Sequence, residues 1–224
     1  MNDVTIVVTT CDRPEYLAEC LASLPDVRVI VVDDSTDHPY GSSYRPEDNR
    51  VQAICRGAEY IRTPGHIGTS AARMLGLAQC RSRFFAFFDD DDVMLPNWLP
   101  LHLENALRAD VVGSWHYQTD GRLQHRELRQ MAPTSKAALM ALRVTISDNS
   151  LIRASALRGL TWHPERKHVM MLTMWLALMH KGVRFAMIEE PTWLYRIHAT
   201  NQTPSTRDPQ DALWRAQAVA EYAS

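Results

Sequence analysis

The sequence predicts an α/β fold with a mostly parallel central sheet flanked by helices. Short β-branched or aromatic runs alternate with helix-patterned stretches through the first half, the order that builds parallel strands joined by right-handed crossovers. Three of those runs, ending at Val8, Val32 and Phe88, each break into a polar or acidic cluster. Clusters that follow parallel strands share the carboxyl edge of the sheet, where open α/β folds place their ligand crevice.

Each element follows from its local pattern. Residues 4–8 form a β-branched strand that stops at Thr9, Thr10, Cys11 and Asp12. A helix begins there, with Asp12 as cap, Pro14 in the first turn, Glu15 completing a capping box, and Leu17, Leu21 and Leu24 on one face. Residues 27–32 are near-continuously apolar, as in a strand covered on both faces, and end in Asp33, Asp34 and Ser35. Residues 38–49, with Pro39, Gly41 and Pro46, read as a surface loop, and 51–62 as a weak helix or turn and a short strand. Gly65 and Gly68 permit unusual torsions ahead of a helix lined on one side by Ala71, Leu75 and Ala78. The strand 84–88 runs straight into Asp89, Asp90, Asp91 and Asp92, and a helix starts near Pro96.

The second half is less regular. Val111 and Val112 begin a strand, 122–132 is a polar stretch, and 145–152 reads as a strand. A helix over 169–180 carries Leu172, Leu176 and Met179 on one face and stops at Gly182. Residues 183–188 and 192–197 read as two strands, 199–209 as a loop expected to order on ligand binding, and 211–222 as a terminal helix.

The 224 residues are 46% hydrophobic and 22% charged, which excludes a disordered or collagen-like chain. Lys and Arg (24) nearly cancel Asp and Glu (26), so bulk charge does not draw the protein to nucleic acid or an anionic membrane. Cys11, Cys20, Cys55 and Cys80 form no CxxC pair and read as reduced core thiols of a cytoplasmic protein. The opening MNDVTIVVTT lacks the basic and apolar regions of a signal peptide, and no run reaches the roughly 18 apolar residues of a membrane span.

Four consecutive aspartates cannot all ionise cheaply, because like charges raise one another's pKa unless a cation intervenes. Mg²⁺ or Mn²⁺ suits such oxygen donors and completes its shell with water and phosphate oxygens. Asp89 with Asp91, or Asp90 with Asp91, would serve; a solvated acidic turn is the plain alternative, against which the apolar FFAFF strand argues. Residues 93–96 supply neither the glycine nor the glutamate of a calcium EF-hand loop.

These residues carry a resemblance. FFDDDDVMLPNWL resembles the aspartate-containing metal and diphosphate motif, DxD, of family 2 glycosyltransferases of the GT-A fold. IVVTTCDRPEYLAECLASL is similar to that family's opening strand and helix, VIVVDDSTD to its second strand and acidic turn, and GHIGTSAARMLGL to its glycine-rich helix start. NSLIRASAL and TWLYRIHATNQ resemble later segments, so the likeness runs in order over residues 4–203.

The resemblance implies a single GT-A domain over 1–224, with a nucleotide-sugar half (1–115), an acceptor half (116–203) and a tail helix (204–224). It implies that Thr9, Thr10, Asp12 and Arg13 line the nucleoside pocket, that Asp34 holds base or ribose, and that Arg73 faces the nucleotide or diphosphate. Asp91 would be the metal ligand, Asp89 or Asp90 would hold ribose or metal-bound water, and Asp89 and His198 would be further ligands. Asp33 and Asp34 also suit an Asx-turn, Arg73 a surface position, and His198 a plain loop. The implied activity is metal-dependent, inverting transfer from a UDP-sugar, with Mn²⁺ or Mg²⁺, to an unknown hydroxyl acceptor.

One segment departs from the pattern. Relatives usually carry an acidic pair shortly before the helix tryptophan, the source of the general base. Aligned on Trp175 and Leu176, this sequence has Met170, Met171, Leu172 and Thr173 there, and methionine cannot take a proton from an alcohol. Glu165 or His168, in WHPERKH, or Asp148, in ISDNSLIR, would have to substitute, although a solvated loop and structural hydrogen bonding are their ordinary roles. Trp98, Trp115 and Trp162 suit either sugar stacking or core anchoring. The alternative function is a degenerate relative that binds nucleotide or a partner without transfer. A nucleotidyltransferase is argued against by the lack of a glycine- and basic-rich loop near the N-terminus.

Overall fold

The computed structural model describes residues 3–35, 46–131, 134–141, 146–161, 163, 169–199, 201 and 209–223. The first half runs β1 (Val4–Thr10), α1 (Pro14–Ser23), β2 (Arg28–Asp33), α2 (Pro46–Arg56), β3 (Glu59–Arg62), α3 (Thr69–Gln79) and β4 (Phe84–Asp89). The second half continues β5 (Val93–Met94), α4 (Trp98–Asn105), β6 (Val111–Asp120), β7 (Arg126–Arg129), α5 (Lys136–Met140), β8 (Leu151–Arg153), α6 (Met170–His180), β9 (Phe185–Ile197) and α7 (Pro209–Glu221). Among the described residues one mixed sheet holds nine strands, in the order β3-β2-β1-β4-β8-β6-β9-β5, with β7 paired to β6.

β3, β2, β1 and β4 are parallel, as the alternation of elements predicts. β8 runs antiparallel between β4 and β6, and β6 is again parallel to β9. β1 is buried at every residue, because each face is covered by its own core. Ile6 and Val8 pack with Leu17, Leu21 and Trp98 on one side; Val7, Ile30 and Val32 pack with Phe85, Phe87 and α6 on the other. The register sets Thr10 beside Asp33 and Thr9 beside Asp89, so the three polar strand ends meet on one edge.

α3 lies close over this sheet because Gly76 has no side chain. A Cβ there would stand 2.4 Å from Val7 Cγ1 and 3.0 Å from Val32 Cγ2. Gly76→Val is therefore expected to destabilise the protein by about 1–3 kcal/mol, measured by urea denaturation. An unchanged midpoint would show that the contact yields freely.

Several local expectations are corrected. Asp12 does not cap α1: Arg13 is the N-cap, without a side-chain bond, and Asp12 takes a left-handed φ of 55°. α3 buries Ser70, Ala72, Arg73 and Gly76, while Ala78 is exposed. α2 begins at Pro46, inside the stretch read as a loop. The polar stretch 122–132 contains β7, an edge strand whose pairing needs no apolar face. β9 joins the two strands expected over 183–197, with a register irregularity against β6 near Trp115. The strand expected over 145–152 contracts to β8, and Thr145 lies outside the described residues. Cys20 is buried, but Cys55 is exposed, and all four cysteines are free. Among the described residues no helix is long and apolar enough to cross a membrane.

Candidate active site

The acidic turn after β4 is held by side chains from four other segments. Thr10 Oγ1, at the end of β1, donates to Asp90 Oδ2 at 2.6 Å. Arg13 donates from Nε to the same oxygen at 3.2 Å, from Nη2 to Asp90 Oδ1, and from Nη1 to Asp91 Oδ2 at 2.6 Å. His198 Nε2, just beyond β9, lies 3.0 Å from that same Asp91 oxygen. Asp92 accepts from Asn149 Nδ2 at 3.0 Å and from the Arg196 backbone N–H at 3.2 Å. Arg73 spans two acids, donating to Asp89 Oδ1 at 2.6 Å and Asp148 Oδ2 at 2.7 Å.

Carboxylate oxygens of Asp89, Asp91 and Asp92 converge within 4.8 Å of one another. Asp90 is fully buried and has both oxygens bound to Thr10 and Arg13. Burial lifts its carboxyl above the ordinary range, Asp91 and Asp89 add to the shift, and Arg13 and Thr10 oppose it. Burial, then Asp91 and Asp89, lifts Asp92 as well. Among the described residues five carboxylates crowd this turn with two guanidinium ion-pair partners: Asp90 and Asp91 pair with Arg13, Asp89 and Asp148 pair with Arg73, and Asp92 takes neutral donors from Asn149 and the Arg196 backbone. This excess of hard oxygen donors and negative charge fits a divalent Mg²⁺ or Mn²⁺ held by Asp89, Asp91 and Asp92. His198 is placed to join through nitrogen.

Sequence reasoning did not single out Asp92, Asn149 or Arg196. Arg196 is buried and donates to the Asp91 carbonyl at 2.8 Å, the Gly121 carbonyl at 3.0 Å and Glu19 Oε2 at 2.5 Å. Its guanidinium lies over Tyr16, whose ring packs on His198, so it buckles β9 and α1 to the acidic turn. The fourth aspartate of the run was the available signal for Asp92.

Three groups beside the expected nucleoside pocket are already bonded within the chain. Asp34 is buried and already accepts Thr63 Oγ1 and the Ile67 and Gly68 N–H groups, each at 2.8 Å, so it braces the glycine turn before α3. Asp33 takes Ser35, Asn49 and Tyr60, the structural reading left open for it. Arg73 is almost wholly buried and is bonded between Asp89 and Asp148. Thr9 is buried, and Asp12 stands at the turn with Oδ1 unbonded. Beside it, burial and then Asp12, Asp34 and Asp90 push the Cys11 thiol up to about 12.

The glycosyl transferase family 2 model matches residues 5–163. The chain belongs to that family. Glycosyl transferase family 2 is a family of transferase enzymes, and relatives carry matching names. A pre-mycofactocin glycosyltransferase of Mycobacterium tuberculosis is 38% identical over 98 residues, 44% of this chain and 20% of that protein. An uncharacterized glycosyltransferase of Methanocaldococcus jannaschii is 23% identical over 87% of this chain and 70% of its own length. This chain thus matches about a fifth of the length of the first relative. Among solved structures, Staphylococcus aureus TarS in complex with UDP superposes with a TM-score of 0.74 at 16% identity, over 99% of this chain and 65% of the other. Glucosyl-3-phosphoglycerate synthase of M. tuberculosis, in complex with Mn²⁺, UDP and glucosyl-3-phosphoglycerate, gives 0.63 at 18% identity, over 98% and 78%. Both share the GT-A fold predicted from the sequence.

Against the family's pattern, the start of α6 is sealed. Met170 and Met171 are buried in an apolar cluster with Leu139, Ile146 and Ala218, so an acid there would have no access to solvent. Glu165, His168 and Trp162 lie outside the described residues, as does most of segment 199–209. Asp148 is described and 35% exposed, across Arg73 from Asp89. Trp98 is a core anchor: it is fully buried, donates to the Asn149 carbonyl at 3.1 Å and stacks on His102.

Proposed function

We propose that this family 2 chain is a metal-dependent, inverting glycosyltransferase that moves a sugar from a UDP-sugar to a hydroxyl acceptor. The observation that carries this reading is the convergence of Asp89, Asp91 and Asp92 within 4.8 Å, at the strand edge that also presents Thr9 and Thr10. The UDP and Mn²⁺ complexes of the fold's other members support the choice of donor and ion. The free thiols suit a cytoplasmic setting.

In this mechanism Asp91 would be the principal ligand of a divalent ion, with Asp89, Asp92 and His198 as further ligands, and the ion would supply Lewis-acid neutralisation of a departing diphosphate. Thr9, Thr10 and Asp12 lie along the nucleoside side. The acceptor's proton needs a carboxylate, and we assign Asp148: Arg73 holds its Oδ2, leaving Oδ1 to accept. Glu165 and His168 stand as the other candidates.

The test is calorimetric titration of UDP, with GDP for comparison, with and without Mn²⁺. UDP is expected to bind tightly only with the ion. A folded protein that binds neither nucleotide would overturn the reading. The sealed Met170 and Met171 favour one second reading, a nucleotide-binding relative without transfer. Metal-dependent UDP binding with no release of UDP from any UDP-sugar would select it.

A further inference from the structure

Arg13 does more than line a pocket. Its side chain is 23% exposed and puts three N–H groups on the acidic turn, one of them on Asp91, the carboxylate that the acid triad also needs. The other acids are differently occupied. Asp89 shares Arg73 with Asp148, Asp92 takes only neutral donors from Asn149 and the Arg196 backbone, and the Arg196 guanidinium is spent on Glu19 and two carbonyls. Arg13 is thus the full charge set directly against Asp91, with His198 sharing the same oxygen.

We propose that Arg13 is a resident counter-ion for Asp91, displaced in part when a divalent ion arrives, and that this displacement couples ion binding to diphosphate binding. The inference rests on the donor reading above. Two features of the geometry support it. A guanidinium 2.6 Å from Asp91 repels a divalent ion seeking the same carboxylate, so the ion alone binds weakly. Arg13 also has a second anchor, because Nε and Nη2 remain on Asp90, which is fully buried and fixed by Thr10. Losing the Asp91 bond therefore leaves the side chain tethered, with Nη1 released at the edge where the diphosphate must lie. Ion and diphosphate then favour one another: the ion frees the donor, and the anion compensates the two neighbouring cations.

The experiment is titration of Mn²⁺, with and without UDP, into wild type, Arg13→Gln and Arg13→Lys, each checked by circular dichroism. Arg13→Gln is expected to bind Mn²⁺ alone about tenfold more tightly, and UDP should strengthen Mn²⁺ binding less than it does in wild type. Arg13→Lys keeps the charge and should stay near wild type for Mn²⁺ alone. Arg13→Met replaces Arg13→Gln if the latter does not fold. In ¹⁵N-labelled wild type, Mg²⁺ should shift the Arg13 guanidinium signals, a readout that needs no variant. Equal or weaker Mn²⁺ binding by the neutral variant, equal behaviour of Lys and Gln, or an unmoved guanidinium signal overturns the proposal while the donor reading stands. If no form binds Mn²⁺ even with UDP, both fall.

Discussion

Asp91→Asn is expected to abolish Mn²⁺-dependent UDP binding and to lower release of UDP from a UDP-sugar by about a hundred- to a thousandfold. Asp91 is where three demands meet: it belongs to the acid triad, it pairs with Arg13, and it faces His198. The amide keeps the size and one carbonyl oxygen but lacks the charge that a hard divalent ion requires. The fold should survive, because the substitution takes one charge out of a crowded run of four. Arg13 also keeps its partner in Asp90. Calorimetry and a thermal melt separate the outcomes. UDP affinity unchanged in the presence of Mn²⁺ would remove Asp91 from the metal site, whereas a collapsed melting temperature would make its role structural.

Arg73→Met should cost about 3–5 kcal/mol of stability, read from urea denaturation. Arg73 is almost wholly buried under α3 and packs over Phe87, with Asp89 on one arm and Asp148 on the other. Burial alone would disfavour its charge, but the two carboxylates outweigh that and hold it protonated. Methionine fills much of the same volume and leaves both acids facing each other without a cation. Each acid is 35% exposed, so water takes up part of the loss and the lower end of the range is expected. Adding Asp148→Asn to Arg73→Met should restore part of the stability, since it ends the repulsion. Loss of less than about 1 kcal/mol in the single variant would show that solvent already screens this bridge.

The fold was legible where burial leaves a pattern. β1, β2 and β4 are apolar on both faces and end in polar residues, so their runs, their parallel order and the shared edge could all be read from the chain. β7 could not, because Arg126, Glu127, Leu128 and Arg129 form an edge strand held by backbone pairing to β6. Nor could the join within β9, where Pro191 sits opposite Trp115 at an irregularity of register. At the site, the run of four aspartates announced itself, but its division of labour did not. Which acids converge and which one is locked to Thr10 depends on the twist of a single turn. Arg73 was expected to face the nucleotide; the small residues Ala72 and Gly76 bring the helix so close to the sheet that its side chain enters the interior. Asn149 and Arg196 stood only inside longer segments that resemble the family, and their bonds to Asp92 were not legible because they span more than fifty residues of chain.

The sheet itself limits how the molecule can work. Strand pairing passes without interruption from the β1 to β4 half, through β8, into β6 and β9. Many sugar-nucleotide and phosphate enzymes close around their substrates by swinging one lobe against another. Here such a swing would have to break main-chain bonds between β4, β8 and β6 and open the buried contacts of Phe85, Val111 and Ile152. Opening and closing must therefore be local, carried by turns and side chains along the strand edge over a stationary floor. Hydrogen exchange at Phe85, Ile152 and Val111, which lie side by side across that floor, should stay slow whether or not nucleotide is bound.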